Sequence, residues 1–420
     1  MKKVAIVGGG AAGLMAAVGV LEKEAVPVIF EKNRRLGLKL LITGKGRCNL
    51  TNDLEIPEFV ENFPGNGTFL YSSLYNFSNH QLLDFFAELN VPTKMERGGR
   101  FFPESDKAGD VVGALTDYIV KKGAQIKYNT RVEQLWLEKG KLQGIKAGGN
   151  FYRFTSVIIA AGGLSYPKTG STGDGYKLAR EAGHTIVDPF PSLVPLKTKE
   201  KWVAQVQGLT LKNVQVTAFW HDKELGSEFG EMLFTHFGVS GPIILSLSRT
   251  IVQTLKTKGG PIKIRINLKP ALDFAQLDAR LQRVFSEFSK KQYKNTLDSL
   301  FPKSLIEPII LLSGIDPHKP AHQISKEERS RLANLIQSLE LTIIGFSSYD
   351  EAIVTAGGVS VKEVDPSTME SKILKGLFFA GETLDIDGYT GGYNLQAAFS
   401  TGYLAGQSAG EYTGAHMHNI

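Results

Sequence analysis

The start of the chain constrains its fold most. "KVAIV" (3–7) runs straight into Gly8-Gly9-Gly10-Ala11-Ala12-Gly13, and this leads into the apolar run "LMAAVGVLEKEA". An apolar pentamer, a G-x-G-x-x-G turn and a helical run make the first half of a β-α-β unit, and "VPVIFEK" supplies the returning strand. Gly8 makes the tight turn, Gly10 lets the backbone approach a pyrophosphate, and Gly13 allows close helix–strand packing. The helix N-terminus at Ala11 and Ala12 offers N–H groups and positive dipole to phosphates. Glu31 stands eighteen residues after Gly13, where a carboxylate holds both hydroxyls of an adenosine ribose and disfavours a 2′-phosphate. Glu31 and its neighbour Lys32 are therefore candidate dinucleotide contacts, and NADP is excluded as the ligand of this turn.

A second site far along the chain points to FAD rather than NAD. In "GLFFAGETLDIDGYTGGYNLQAAFSTG" a strand ends in Gly381-Glu382, and Gly391-Gly392 opens another helix, with Asn394 and Leu395 in its first turn. The acid suits a ribityl hydroxyl, and a helix N-terminus suits negative charge building on a reduced flavin. "VIIAAGG" (157–163), with Ala161 and Gly162, reads as the strand and turn of a flavoprotein, its plainer reading being a buried strand. Val132 joins the cofactor candidates. No second G-x-G-x-x-G follows a strand, since Gly170-Ser-Thr-Gly173-Asp-Gly175 has the wrong spacing. NAD(P)H is thus expected only as a transient reductant of a non-covalently held FAD, the alternatives being a protein donor or a substrate that itself reduces the flavin.

Between these sites lies "LGLKLLITGKGRCNLTN" (36–52). After the ribose-binding acid such a segment runs along the pyrophosphate towards the flavin ring. Gly37, Thr43, Gly44 and Gly46 would line the cofactor, Lys39 and Arg47 balance its charge, and Asn49 and Asn52 donate to it or tie the loop to itself. Cys48 has three readings: inert filler, a flavin-facing tuner, or the acid that delivers a proton while flavin N5 delivers hydride. Lys45 and Arg47 are expected to depress its pKa, which argues against the acid. Arg47, Tyr166 and His236 of "LFTHFGVSGP" complete the catalytic candidates. Tyr389 and Tyr393 are other conceivable donors.

Cys48 is the only cysteine of 420 residues, which excludes an intramolecular disulfide, a redox dithiol and a cysteine-rich metal site. Eight scattered histidines speak against a metal centre. No apolar run reaches the length of a membrane span, and the basic-then-apolar N-terminus reads as a strand rather than a signal peptide, so a cytoplasmic protein is expected. Charge is uneven. Residues 256–303 carry eleven Lys/Arg against four Asp/Glu, a basic segment that could attract structured RNA or be a solvated helix surface. Periodicity predicts a split α/β FAD-binding Rossmann domain, 1–190 and 345–420, with an antiparallel meander at about 124–155. A β insertion (191–270) and a helical insertion (271–344) separate the halves, residues 203–268 reading as strand.

The motifs "IVGGGAAGL", "GLKLLITGKGRCNLTN", "GGRFFPESDKAGDVV", "AAGGLSYPKTGSTGDGY", "LFTHFGVSGP", "TAGGVS" and "GGYNLQAAFSTG" together resemble the BaiN/RdsA (YhiN-like, aminoacetone-oxidase-like) family of flavoproteins over nearly the full length. The resemblance implies bound FAD, a glutathione-reductase-like FAD domain and an inserted β-barrel-like plus helical module. It further implies reductive chemistry: reduction of uridine to dihydrouridine in large-subunit ribosomal RNA, or of steroid-type double bonds. The resulting expectation is an FAD-dependent oxidoreductase reducing a conjugated C=C. A small-molecule amine or amino-ketone oxidase or enone reductase, and a non-catalytic dinucleotide-binding protein, are the alternatives. Oligomeric state is open at this level.

Overall fold

The computed structural model describes residues 2–416. β1 (Lys3–Val7), α1 (Ala11–Glu22) and β2 (Val26–Phe30) form as the periodicity predicts. They lie in a five-stranded parallel sheet ordered Leu377–Phe379, Ser156–Ile159, β1, β2, Gln125–Lys127. Val4–Val7, Ser156–Ile159 and Leu377–Phe379 are buried at every residue, as strands covered on both faces require. The strand Leu377–Phe379 pairs beside Ser156–Ile159, so the sheet needs both ends of the chain.

A second helix, Tyr393–His416, packs along α1. Gly402 and Gly406 bring the backbones into contact: an added Cβ would lie 2.2 Å from Ala12 O and 2.1 Å from Ala16 O. The pairing 12 with 402 and 16 with 406 makes the two helices parallel. Tyr393 precedes residue 401, opposite the start of α1, by two helical turns. At 1.5 Å per residue the C-terminal helix therefore begins about 12 Å ahead of α1.

The meander is Val132–Glu138, Lys141–Ala147 and Asn150–Arg153. Gln125–Lys127, expected inside it, instead edges the parallel sheet against β2. A small antiparallel sheet joins Thr51–Asn52, Arg100–Pro103 and Thr93–Glu96. Helix Asn79–Glu88 starts at the Ser78/Gln81 capping box.

The chain divides into two compact units: one runs to Pro191 and resumes at Tyr349, the other is Ser192–Ser348. The second unit is built on a closed six-stranded barrel, ordered Leu196–Thr198, Gly238–Ser240, Lys223–Phe234, Thr210–Trp220, Ile262–Asn267, Leu339–Phe346. This differs from a β insertion ending at 270. The closing strand arrives after the helices Phe274–Glu287, Lys303–Ser313 and Lys326–Gln337, so strand and helix segments share one unit. A further helix, Pro242–Lys258, lies inside the span read as strand. Its start is set by Gly241 at φ +92° and by Pro242, whose missing N–H costs nothing at a first helical position.

Candidate functional site

The glycine turn is built by close contacts and one opening. Gly8, at φ +102°, donates to Phe30 O (2.9 Å), and a Cβ there would stand 2.6 Å from Ala160 O. A Cβ at Gly13 would stand 1.9 Å from Gly8 O. At Gly10 an added Cβ meets nothing within 4 Å, so this α-carbon faces open space. Helix α1 has no side-chain cap and no acid in its first turn, which leaves the N–H groups at Ala11 and Ala12 for an anion.

Glu31, 7% exposed, ends β2 beside the turn. Its Oε2 accepts from Gly9 N (2.9 Å), and its Oε1 accepts from the backbone N and side-chain Nδ2 of Asn33 (both 2.8 Å). Lys32 does not join it. Its ammonium donates to Asp174 (2.8 Å) and Thr172, and Arg131 reaches Asp174 from the other side. Both bonds hold the Asp174 carboxyl below its ordinary pKa against the opposing effect of burial. Val132 heads the meander here and lines a cavity with Arg131, Glu133, Asp174, Lys177 and Leu178.

Four separate motifs meet at Glu382. Lys39 donates to its Oε2 (2.6 Å) and to Ser165 Oγ. Ser165 Oγ donates to Oε1 (2.8 Å), as does Thr355 N (2.7 Å). Thr355 Oγ1 accepts from Leu164 N and Ser165 N. Gly163, just after Ala161 and Gly162, fits because it has no side chain: a Cβ would lie 2.5 Å from Thr355 Oγ1. Gly381 donates to Thr401 Oγ1 of the C-terminal helix. Ser165 and Thr355 were not among the sequence candidates, although "GGLSYP" and "TAGGVS" contain them.

The loop 36–52 is held mostly by itself and by the small antiparallel sheet. Gly37 caps the short helix Leu38–Ile42 and donates to Gly9 O (2.8 Å), and Thr43 Oγ1 donates to Leu40 O. Gly44, Lys45, Gly46 and Cys48 all have positive φ. Arg47 turns to Glu96 in a bidentate pair (2.9 and 2.8 Å) and lies 4.1 Å over the Phe102 ring. The structure thus pairs Arg47, a cofactor and catalytic candidate, with Glu96 and Phe102. Cys48 is fully buried, and burial pushes its thiol up to about 12. The expected depression by Lys45 and Arg47 does not occur: desolvation dominates, and the opposing contact is the one with Thr43.

The asparagines clamp the second glycine pair. With its amide oriented so that its neighbours are satisfied, Asn49 accepts from Gly392 N (3.0 Å) and donates to Thr51 O and Phe101 O. Asn52 Nδ2 donates to Gly391 O (3.1 Å) and Gly98 O (2.9 Å). Asn394 accepts from Gly388 N and donates to Gly388 O and Tyr389 O. Leu395 packs against the core. The C-terminal helix therefore begins from a turn fixed on three sides, with no acid in its first turn.

Tyr166 has φ +51°, and burial and Glu351 raise its pKa. Tyr393 packs edge-on against Phe59 (5.0 Å between centroids). His236 is exposed in the barrel turn between Phe234 and Gly238, edge-on to Phe237. Among the described residues no group of three or more His, Cys, Asp or Glu could hold a metal ion.

Comparison with known proteins places these motifs together. The profile of the HI0933-like protein Rossmann domain matches residues 2–408. The 3-dehydro-bile acid delta(4,6)-reductase of Clostridium scindens is 36% identical over 98% of this chain and 100% of its own. The ribosomal RNA dihydrouridine synthase of Haemophilus influenzae is 31% identical over 96% and 97%. The fold is similar to the solved 3-ketosteroid delta1-dehydrogenase of Sterolibacterium denitrificans, with a TM-score of 0.54 at 11% identity over 98% and 100% of the two chains.

Proposed function

The chain belongs to the HI0933-like Rossmann family, and from that premise we propose that it is an FAD-dependent oxidoreductase reducing a conjugated C=C, with uridine in large-subunit ribosomal RNA as substrate. The observation that carries the cofactor is the pair of parallel helix N-termini. One stands at the open Gly10 turn, and the other begins about 12 Å further along the shared helix direction, so both would face one extended, negatively charged cofactor. Gly10, Ala11 and Ala12 would hold the pyrophosphate, Glu31 the adenosine ribose, and Lys39, Glu382 and Ala161–Gly162 the ribityl segment. Bound there, FAD in its reduced form would supply a hydride to one carbon of the double bond, a proton from solvent or an acid adding to the other, and would be left as oxidised FAD to be reduced again. The chain's own part would be to fix that group: the C-terminal helix would offer its N-terminal dipole to negative charge on the reduced ring, and the Asn49–Asn52 clamp holds the turn before that helix in place. NAD(P)H is read as a transient reductant, since one dinucleotide turn serves FAD.

Charge supports the RNA substrate. The unit 192–348 carries 21 Lys/Arg against 14 Asp/Glu, while the rest of the chain is nearly neutral. Part of this charge is internally balanced, as Lys263 and Arg265 both reach Glu340. Among the described residues Lys290 and Lys294 carry no such ion pair, and the basic segment 256–303 is read as an RNA-binding face. No described helix is long and apolar enough to cross a membrane, and a ribosomal substrate sets the protein in the cytoplasm. A second reading, a small-molecule enone reductase, is favoured by the higher identity to the bile acid enzyme.

Dihydrouridine in ribosomal RNA of wild-type and deletion strains, measured by mass spectrometry of nucleosides, separates the two. Loss of one dihydrouridine on deletion, restored by the intact gene, supports the RNA reading. An unchanged nucleoside profile sinks it. Flavin released by heating the purified protein should chromatograph as FAD.

A further inference from the structure

The hairpin Thr93–Glu96 to Arg100–Pro103 turns through a three-residue loop, Arg97-Gly98-Gly99. Gly98 and Gly99 have φ +82° and +69°, so the loop takes a left-handed turn that side chains disfavour, and its shape is set by the backbone. Arg97 is exposed, and its side chain has no protein partner among the described residues. Arg100 spends only its Nε, on Arg97 O (3.0 Å), and its terminal nitrogens approach no acid closer than Glu96 at 3.9 Å. Glu96 is already occupied by the bidentate Arg47. The tip therefore presents two guanidinium groups, Arg97 with no ion pair among the described residues and Arg100 with only the 3.9 Å approach to Glu96.

The position of this tip gives it meaning. Asn52 Nδ2 bridges Gly98 O and Gly391 O, and Asp53 N donates to Gly99 O (2.8 Å). One buried amide thus separates the hairpin tip from the glycine pair that opens the C-terminal helix. A charged loop built this firmly beside the ring end of a cofactor site suits an anionic part of the substrate. Two guanidinium forks match phosphate oxygens in particular.

We propose that Arg97 and Arg100 form a phosphate-binding site that grips the RNA backbone next to the uridine being reduced. This rests on the reading of the protein as an RNA-acting flavoenzyme and adds to it a site in a different unit from the basic segment 256–303. Asn52 and Arg47 act as positioning residues, the first tying the tip to Gly391 and the second removing Glu96 as a competitor.

The test is binding of a fluorescein-labelled RNA hairpin with a loop uridine to holoenzyme, by anisotropy, across a salt series. R97Q/R100Q is compared with wild type, with R97K/R100K and with K290Q/K294Q. The flavin absorption spectrum and Tm of each variant report that the fold is kept. The expected result is weaker binding by R97Q/R100Q with the slope of log K against log salt reduced by about 1 per lost contact, and partial recovery in R97K/R100K. If R97Q/R100Q keeps the wild-type slope while K290Q/K294Q lowers it, the RNA reading stands and this site does not. If wild-type holoenzyme binds no RNA at about 50 mM salt, the substrate reading fails and takes the site with it.

Discussion

At Cys48 the chain holds a non-glycine residue at φ +64° with its side chain shut off from solvent. Backbone strain of this kind costs about 1–3 kcal/mol and persists only where the surroundings impose it. Here they do, because Cys48 N donates to Thr43 O (3.1 Å) across the left-handed Gly44–Gly46 turn. The thiol is protonated at neutral pH, since burial pushes its pKa from 9.0 to about 12. Ellman's reagent should therefore leave the native protein unmodified at pH 8 and titrate one thiol after unfolding. The folded pKa lies above the unfolded value, so the native state binds this proton more tightly. Stability from Cys48 is full below pH 9 and is lost as pH rises from about 9 towards about 12. Over that range wild type should lose stability relative to Cys48→Ala in urea titrations. Cys48→Ala should keep its turnover, because a fully enclosed thiol cannot reach a substrate. Complete loss of turnover in a folded, FAD-loaded variant would restore the acid reading.

At the scale of elements, the β1–α1–β2 unit separates glycines that close contacts require from one that faces open space. Gly13→Ala drives a Cβ to 1.9 Å from Gly8 O and should cost about 2–3 kcal/mol, read as a lowered Tm in the apoprotein. Gly10→Ala places its Cβ in open space at an ordinary φ of −83°, so the apoprotein should melt close to wild type. Its FAD affinity should nonetheless fall, because the methyl group occupies the path of the pyrophosphate. Equal FAD affinity by fluorescence titration would remove Gly10 from the site. The glycine turn and the acid of this unit were legible because its contacts are local: a strand, a turn and a helix adjacent in sequence. The loop 36–52 was legible in outline only. Its Asn49, Asn52 and Arg47 have partners at 392, 391 and 96, and nothing in the local sequence says that those partners, rather than a cofactor, take up the hydrogen bonds.

For the whole molecule, the barrel of 192–348 decides where the chain can be cut. Leu339–Phe346 pairs with both Ile262–Asn267 and Leu196–Thr198 and so closes the barrel. A fragment 192–270 lacks that strand and leaves two open edges, whereas 192–348 contains every barrel strand. The longer fragment should give a cooperative melt and dispersed amide resonances, and the shorter one should aggregate. A folded 192–270 fragment would show that the helices and the last strand are dispensable.

The amino-acid sequence by itself determined the glycine turn after the first strand, the second glycine pair ahead of the C-terminal helix, the absence of an intramolecular disulfide or dithiol, and the basic bias of the insertion. Each depends on residue type or short-range spacing. Tertiary structure alone decided that Lys39, Ser165, Thr355 and Glu382 share one hydrogen-bonded cluster, that Arg47 pairs with Glu96, and that Cys48 is buried with its pKa raised. It also decided that a strand after three helices completes the barrel. These depend on which distant segments meet and on how much water their meeting excludes, and both are fixed only when the chain closes on itself.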